Sequence, residues 1–208
     1  MKLLKSMKYS LYICVRPFDG FWDLKHEKRG TAAGALGLLF LTVLSFVFRF
    51  QLTGFEFNEN YGEQLNLLTQ VMLVVIPVVL WCVTNWSVTT LMDGEGSMGD
   101  VFKATAYALA PLIIVNIFNV VLSNVISIDE IQIYQFLEWL SYVWTGFLLI
   151  IGLMTVHRFT VLKTIMTMIL VVVGILIICF LTLLFFVLLQ QMLNFGTLLV
   201  RELFLQYG

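Results

Sequence analysis

LMDGEGSMGDVFKATAYALAPLI, Leu91 to Ile113, is the stretch on which the reading of this chain turns. A short loop rich in glycine and acid, Asp93 to Asp100, stands between two long apolar runs. One run ends at Leu91 and Met92, and the next carries Tyr107 and Pro111. Apolar runs of this length on both sides of so short a loop describe a chain that crosses a membrane, turns and crosses back.

The composition agrees. Of 208 residues, 60% are hydrophobic and 12% charged, and the mean hydropathy is +0.95; soluble domains carry charge on about a quarter of their residues. Spans of about 20 residues each, the length needed to cross about 30 Å of hydrocarbon, consume most of the chain and leave no room for a separate soluble domain. Cys14, Cys82 and Cys179 are widely spaced in apolar surroundings, so they read as core packing residues rather than a metal cluster or a disulfide frame. Lys2, Lys5 and Lys8 are not followed by an apolar core and a small-residue cleavage site, so the first true span is expected to act as the insertion signal.

Five spans follow from the hydropathy, at about 31–48, 67–91, 101–126, 137–156 and 161–189. The expected class is therefore all-α: a polytopic membrane protein whose transmembrane domain, 31–208, is preceded by an N-terminal interfacial segment, 1–30. Within that segment, Leu3, Leu4, Met7, Leu11 and Val15 recur at helical spacing with lysines between them, the pattern of a helix lying in the membrane surface. PFDGFWDLKHEKRG, Pro17 to Gly30, then alternates Phe18, Phe21 and Trp22 with charge. It reads as a second surface element, either a plain interfacial anchor or a partner-docking surface.

Polar residues inside the spans suggest packing contacts. The small residues Ala32, Ala33, Gly34, Ala35 and Gly37 favour close approach of a neighbouring helix. Asn85 and Thr89 share a face and suit an inter-helix hydrogen bond, with a ligand contact as the alternative; Asn116 and Asn119 read as inter-helix glue rather than an ion path. Asp100 is placed to cap the third span, Lys103 to reach the headgroups, and Pro111 to kink the helix near Tyr107. Glu138, flanked by Trp139 and Tyr142, reads as a solvated or snorkelling acid near the outer interface.

Charge bias sets the expected orientation. With the N-terminus inside, the cytoplasmic segments hold Lys2, Lys5, Lys8, Arg16, Lys25, Lys28, Arg29, Lys103, Arg158 and Lys163, whereas Arg49 and Arg201 fall on the other side. The acidic 51–66 loop with Glu56, Glu59 and Glu63, and a short polar tail after Leu189, are expected outside.

Enzymatic chemistry finds no support. There is no nucleophile with a base and no metal-ligand spacing; His26 and His157 are far apart in sequence. No catalytic residue, cofactor or metal is assigned, and no nucleic-acid partner. Asp93, Glu95 and Asp100 carry oxygen ligands suited to magnesium or calcium, but Gly94, Gly96 and Gly99 favour a flexible solvated turn. A transporter with a polar path near Asn85, Asn116 and Asn119 is the alternative to a scaffold or adaptor, and membrane shaping by surface helices is a third reading.

The two quoted segments and the five spans resemble the Yip family, the Ypt/Rab-GTPase-interacting membrane proteins, and in particular its bacterial five-span branch. The resemblance covers nearly the whole chain. It implies a non-enzymatic scaffold in the plasma membrane whose partners are lipid and other membrane proteins, ABC-transporter components among them, or a second copy. Small-GTPase binding is not expected, because the long polar N-terminal region of eukaryotic members is missing. The expected docking residues are Phe18, Phe21, Trp22, Asp93, Glu95 and Asp100.

Overall fold

The computed structural model describes residues 2–27, 29–58, 62 and 64–207, with side chains from Lys8 onward except at 199, 200 and 203–207. The side chains of Lys2, Leu3, Leu4, Lys5 and Met7, and the whole of Lys28, Glu59 and Glu63, lie outside the described residues.

Two helices precede the spans. α1, Lys2–Val15, and α2, Pro17–His26, meet at a corner made by Arg16, with Pro17 in the first turn of α2, where its missing N–H costs nothing. The Tyr9 hydroxyl donates to the Gly20 carbonyl at 2.6 Å across this corner. Burial and the nearby Asp23 push that hydroxyl far above the ordinary tyrosine range, which keeps it a donor.

The spans are α3, Ala32–Leu52; α4, Leu67–Leu91; the pair α5, Met98–Ala108, and α6, Ala110–Ser123; α7, Ile131–His157, entered through a 3₁₀ turn, Ile128–Glu130; and α8, Val161–Tyr207. Among the described residues, five stretches are long and apolar enough to cross a membrane, α5 and α6 counting as one, so the chain is a multi-pass all-α membrane protein. Starts follow local caps: Thr31 Oγ1 accepts from the Gly34 N–H, and Asn66 Oδ1 accepts from those of Leu68 and Thr69. Inside the spans, Thr42, Ser45 and Thr105 donate to carbonyls of their own helices, which satisfies hydroxyls that lipid cannot.

Several boundaries differ from the sequence reading. α3 runs past Phe48 to Leu52, because a single arginine, Arg49, does not end a helix whose interior hydrogen bonds continue. The third span begins earlier than expected, at Met98, and breaks at Leu109 rather than bending smoothly. Pro111 cannot donate to the Tyr107 carbonyl, and Tyr107 accepts instead from Leu109 as the last turn of α5 tightens. α7 takes in Tyr134 and Phe136, which belong to the helix and not to a separate interfacial lead. α8 continues through Gln190, Gln191 and Asn194 where a polar tail was expected, since these residues are compatible with a helix.

The core sits between α5, α6 and α7, closed by α3 on one side and α2 beneath. Tyr107, Phe21, Leu24, Leu148 and Val156 are fully buried there. α6 packs along α7 and α3, while α8 lies mainly on α4. Only 6% of the most apolar stretch of α8 is buried within the protein, against 61% for the third span, so α8 presents its side chains outward. Cys179, expected in the core, is exposed on it for that reason, whereas Cys82 is buried.

Candidate functional site

The bundle has two chemically different ends. One gathers α2, the α4–α5 loop and the α7–α8 turn; the other gathers the last turn of α3, the first turns of α4 and the start of α7.

At the first end, the glycine-rich loop is docked rather than flexible and solvated. Its anchor is His157, the last residue of α7, which is 1% exposed. The Gly96 N–H donates to His157 Nδ1 at 3.3 Å, which leaves the ring proton on Nε2. A methyl group on Gly94 would lie 2.6 Å from His157 Nδ1, and one on Gly96 would lie 2.5 Å from Val156 Cγ1. The glycines serve close approach to an imidazole. Phe159 stacks on the other side of the arrangement, its ring centroid 5.4 Å from that of His157.

The turn after His157 needs a left-handed residue, and Arg158 takes that conformation at φ 55°. Its guanidinium reaches Glu95 at 3.2 Å and His26 Nε2 at 3.2 Å, while His26 Nδ1 faces the Trp22 carbonyl at 3.1 Å. With Nδ1–H donating to Trp22 and Nε2 accepting from Arg158, one neutral tautomer satisfies both contacts. A continuous line thus joins α2 to the loop through the turn. Lys25 Nζ adds a second tie by donating to the Val156 carbonyl. Lys163 Nζ donates to the Met92 carbonyl at 2.8 Å and lies 4.2 Å above the Phe159 ring.

The start of α5 corrects one assignment. Ser97, not Asp100, is the cap: Ser97 Oγ accepts from the Asp100 N–H at 3.2 Å, and Asp100 Oδ2 accepts from the Ser97 N–H at 3.4 Å. Asp100 is the reciprocal member of this capping box. Its other oxygen holds Lys103 at 2.7 Å, so Lys103 does not reach away to the headgroups. The Ser97-x-x-Asp100 spacing was the signal available in the sequence.

The expected docking residues divide. Phe18 and Trp22 point outward at 56% and 52% exposure. Phe21 does not join them; it is fully buried against α7, where a methyl on Gly152 would lie 3.1 Å from its ring. Asp93 and Glu95 are exposed and Asp100 is half-buried. Among the described residues, no group of three or more His, Cys, Asp or Glu side chains could hold a metal ion.

The polar span residues are not gathered in one place. Thr89 Oγ1 donates to the Asn85 carbonyl within α4, while the Asn85 side chain is fully buried with both amide atoms unpaired among the described residues. Asn116 Nδ2 donates to Ser45 Oγ of α3 at 3.2 Å, and Asn119 Nδ2 donates to the Tyr134 carbonyl of α7 at 3.4 Å. Tyr107 stands edge-on to Tyr9, centroids 5.7 Å apart, and joins α1 to α5.

At the second end, Arg49 Nη1 meets Glu138 Oε1 at 2.6 Å, with side chains 26% and 22% exposed. Glu138 is therefore half of an inter-helix ion pair and not a solvated or snorkelling acid. The pair lines a cavity of about 460 Å³. None of Asn85, Asn116 and Asn119 lines it.

Residues 11–192 match the Yip1 domain. The chain belongs to the Yip family. The match takes in the end of α1, every element from α2 to α7 and most of α8, including the docked loop and both ends of the bundle. No curated protein and no solved structure matches this Yip1 domain. Its loop end therefore rests on its own geometry: the histidine, arginine and glycines that hold the corner were visible in the sequence only as separate residues.

Proposed function

We propose that this Yip1 domain is a non-enzymatic membrane adaptor that presents its loop end to a partner membrane protein or to a second copy of itself. The observation that carries this reading is the line Trp22–His26–Arg158–Glu95, which joins α2, the loop and the α7–α8 turn into one platform. A platform ordered before binding loses little freedom on association. Phe18, Trp22, Leu91 and Met98 remain exposed around it, apolar groups available for contact. Several of the groups that a catalyst would use are occupied instead: Glu95 by Arg158, Asp100 by Lys103 and Ser97, and His157 Nδ1 by the loop backbone.

The platform faces the cytoplasm in this reading. Arg16, Lys25, Arg29, Lys103, Arg158 and Lys163 belong to its elements, whereas Arg49 and Arg201 belong to the other side, which is the bias expected of inner loops. The test places photoreactive residues at Trp22 and Leu91 of the full chain in its native membrane, with Trp139 as the control at the other end. Protein adducts of discrete mass from Trp22 and Leu91 alone support the adaptor. Adducts with lipid and water only, or equal protein adducts from Trp139, overturn it.

A further inference from the structure

The cavity at the second end is built from the last turns of α3, the first turns of α4 and the first turns of α7. Phe46, Arg49, Phe50, Gln70, Glu138 and Tyr142 carry its chemistry. Its volume, about 460 Å³, lies in the range of about 300–1,000 Å³ found for small-molecule sites.

Among the described residues, two charges line it, Arg49 and Glu138, and their opposite signs make this wall strongly dipolar. A free anion placed there meets Glu138 as well as Arg49, and a free cation meets Arg49 as well as Glu138. A ligand carrying both charges pairs with each and replaces the Arg49–Glu138 contact by two contacts of the same kind. A second, independent feature points into the same space. Gln70 lines the cavity and is 8% exposed, yet its side-chain amide makes no hydrogen bond to a described residue. Its amide is therefore free to pair with a group that enters the cavity.

Depth in the bundle identifies the source of the zwitterion. Arg49 lies in the last turn of α3 and Gln70 in the first turn of α4, so the polar wall is at the boundary of the apolar spans rather than at their middle. Phe46 and Tyr142, one turn further along α3 and α7, extend the wall toward the hydrocarbon. This is the depth of phospholipid headgroups, with aromatic rings where acyl chains begin.

We propose that this cavity binds the headgroup of a zwitterionic phospholipid bearing a primary ammonium. The phosphodiester sits on the Arg49 guanidinium, the ammonium donates to the Glu138 carboxylate, and Gln70 supplies the remaining hydrogen bond. A primary ammonium fits better than a quaternary one because Glu138 is an acceptor that needs N–H donors. The proposal does not depend on the adaptor reading, since the two ends of the bundle share no residue.

The experiment is native mass spectrometry of the purified full chain. It is delipidated in detergent and supplied in turn with phosphatidylethanolamine, phosphatidylcholine, phosphatidylglycerol and soluble glycerophosphoethanolamine. The expected result is at least tenfold greater retention of phosphatidylethanolamine than of either other lipid, with no retained soluble headgroup. Glu138→Gln removes the partner of the ammonium and leaves Arg49 unopposed, so retention shifts toward the anionic phosphatidylglycerol. Gln70→Leu, a near-isosteric change that spares the ion pair, lowers retention of phosphatidylethanolamine severalfold. Equal retention of the three lipids overturns the proposal, as does an unchanged preference in Glu138→Gln. Tight binding of the soluble headgroup overturns the lipid assignment and makes the ligand a free zwitterion.

Discussion

The two ends of this bundle solve the problem of polar groups beside a membrane in opposite ways. At the loop end, backbone and side chains are tied to one another until little is left free: His157 fills the space under two glycines, and Arg158 joins Glu95 to His26. At the other end, Arg49 and Glu138 hold each other beside an open cavity. Between residues 138 and 157, α7 rises about 28 Å at about 1.5 Å per residue, close to the thickness of the hydrocarbon layer. The contrast therefore lies across the whole membrane, with a closed, ordered surface on one side and a receptive, dipolar one on the other.

Breaking the open end has the largest expected effect. Arg49→Met leaves the largely buried Glu138 without its partner, and stability falls by about 3 kcal/mol; Arg49→Met with Glu138→Leu recovers most of the loss, because an apolar pair removes both desolvation costs. Fluorescence-monitored unfolding in detergent measures both. A double variant no more stable than the single one would show that the ion pair is not what the arginine satisfies.

Breaking the closed end costs less. Gly96→Val drives a side chain into Val156 and His157 and costs about 2 kcal/mol by overpacking. The loop should also become open to cleavage after Glu95 by a glutamate-specific protease, while the wild-type loop resists. Unchanged resistance would mean that the loop does not depend on its seat against His157.

Arg158→Gly sharpens the comparison by separating strain from pairing. Its left-handed backbone costs a non-glycine residue about 1 kcal/mol or more, while its contacts to Glu95 and His26 are exposed and together contribute about that or less. The expected outcome is a small gain in stability, about 0.5 kcal/mol, with loss of the link between α2 and the loop. Hydrogen exchange would show it as faster opening of α2 with the 93–97 backbone unchanged.

The last test leaves stability untouched and concerns Cys14, whose thiol burial pushes up to about 11. The raised value leaves it protonated through the neutral range, so alkylation at pH 8 should run about a hundredfold slower than for a free thiol and accelerate only as the pH approaches 11. Ordinary reactivity at pH 8 would place α1 away from the bundle.

Hydropathy was enough to find five spans, because crossing lipid imposes a length and a composition that few other elements share. It could not find where α8 ends, since Gln190, Gln191 and Asn194 remove apolarity without removing helix-forming capacity. The same limit explains Glu138. Nothing in its own neighbourhood announces Arg49, which arrives from a helix far back in the chain, so an isolated acid was read as a solvated one. His157 stood beside Arg158 and looked like part of a basic turn. Only the fold brings Gly94 and Gly96 against it and shows that the glycines make room as well as a turn. Ser97 with Asp100 is different: its spacing was readable, but the choice of which residue caps required seeing where the first helical hydrogen bond begins.

The length of α8 has a mechanical consequence. Its 47 residues rise about 70 Å, and it leaves α7 through Arg158, Phe159 and Thr160 alone. A rigid rod held near one end by α4 and by so short a joint behaves as a lever. A load on its far end would therefore fall on the turn that holds Arg158, beside Glu95 and His26.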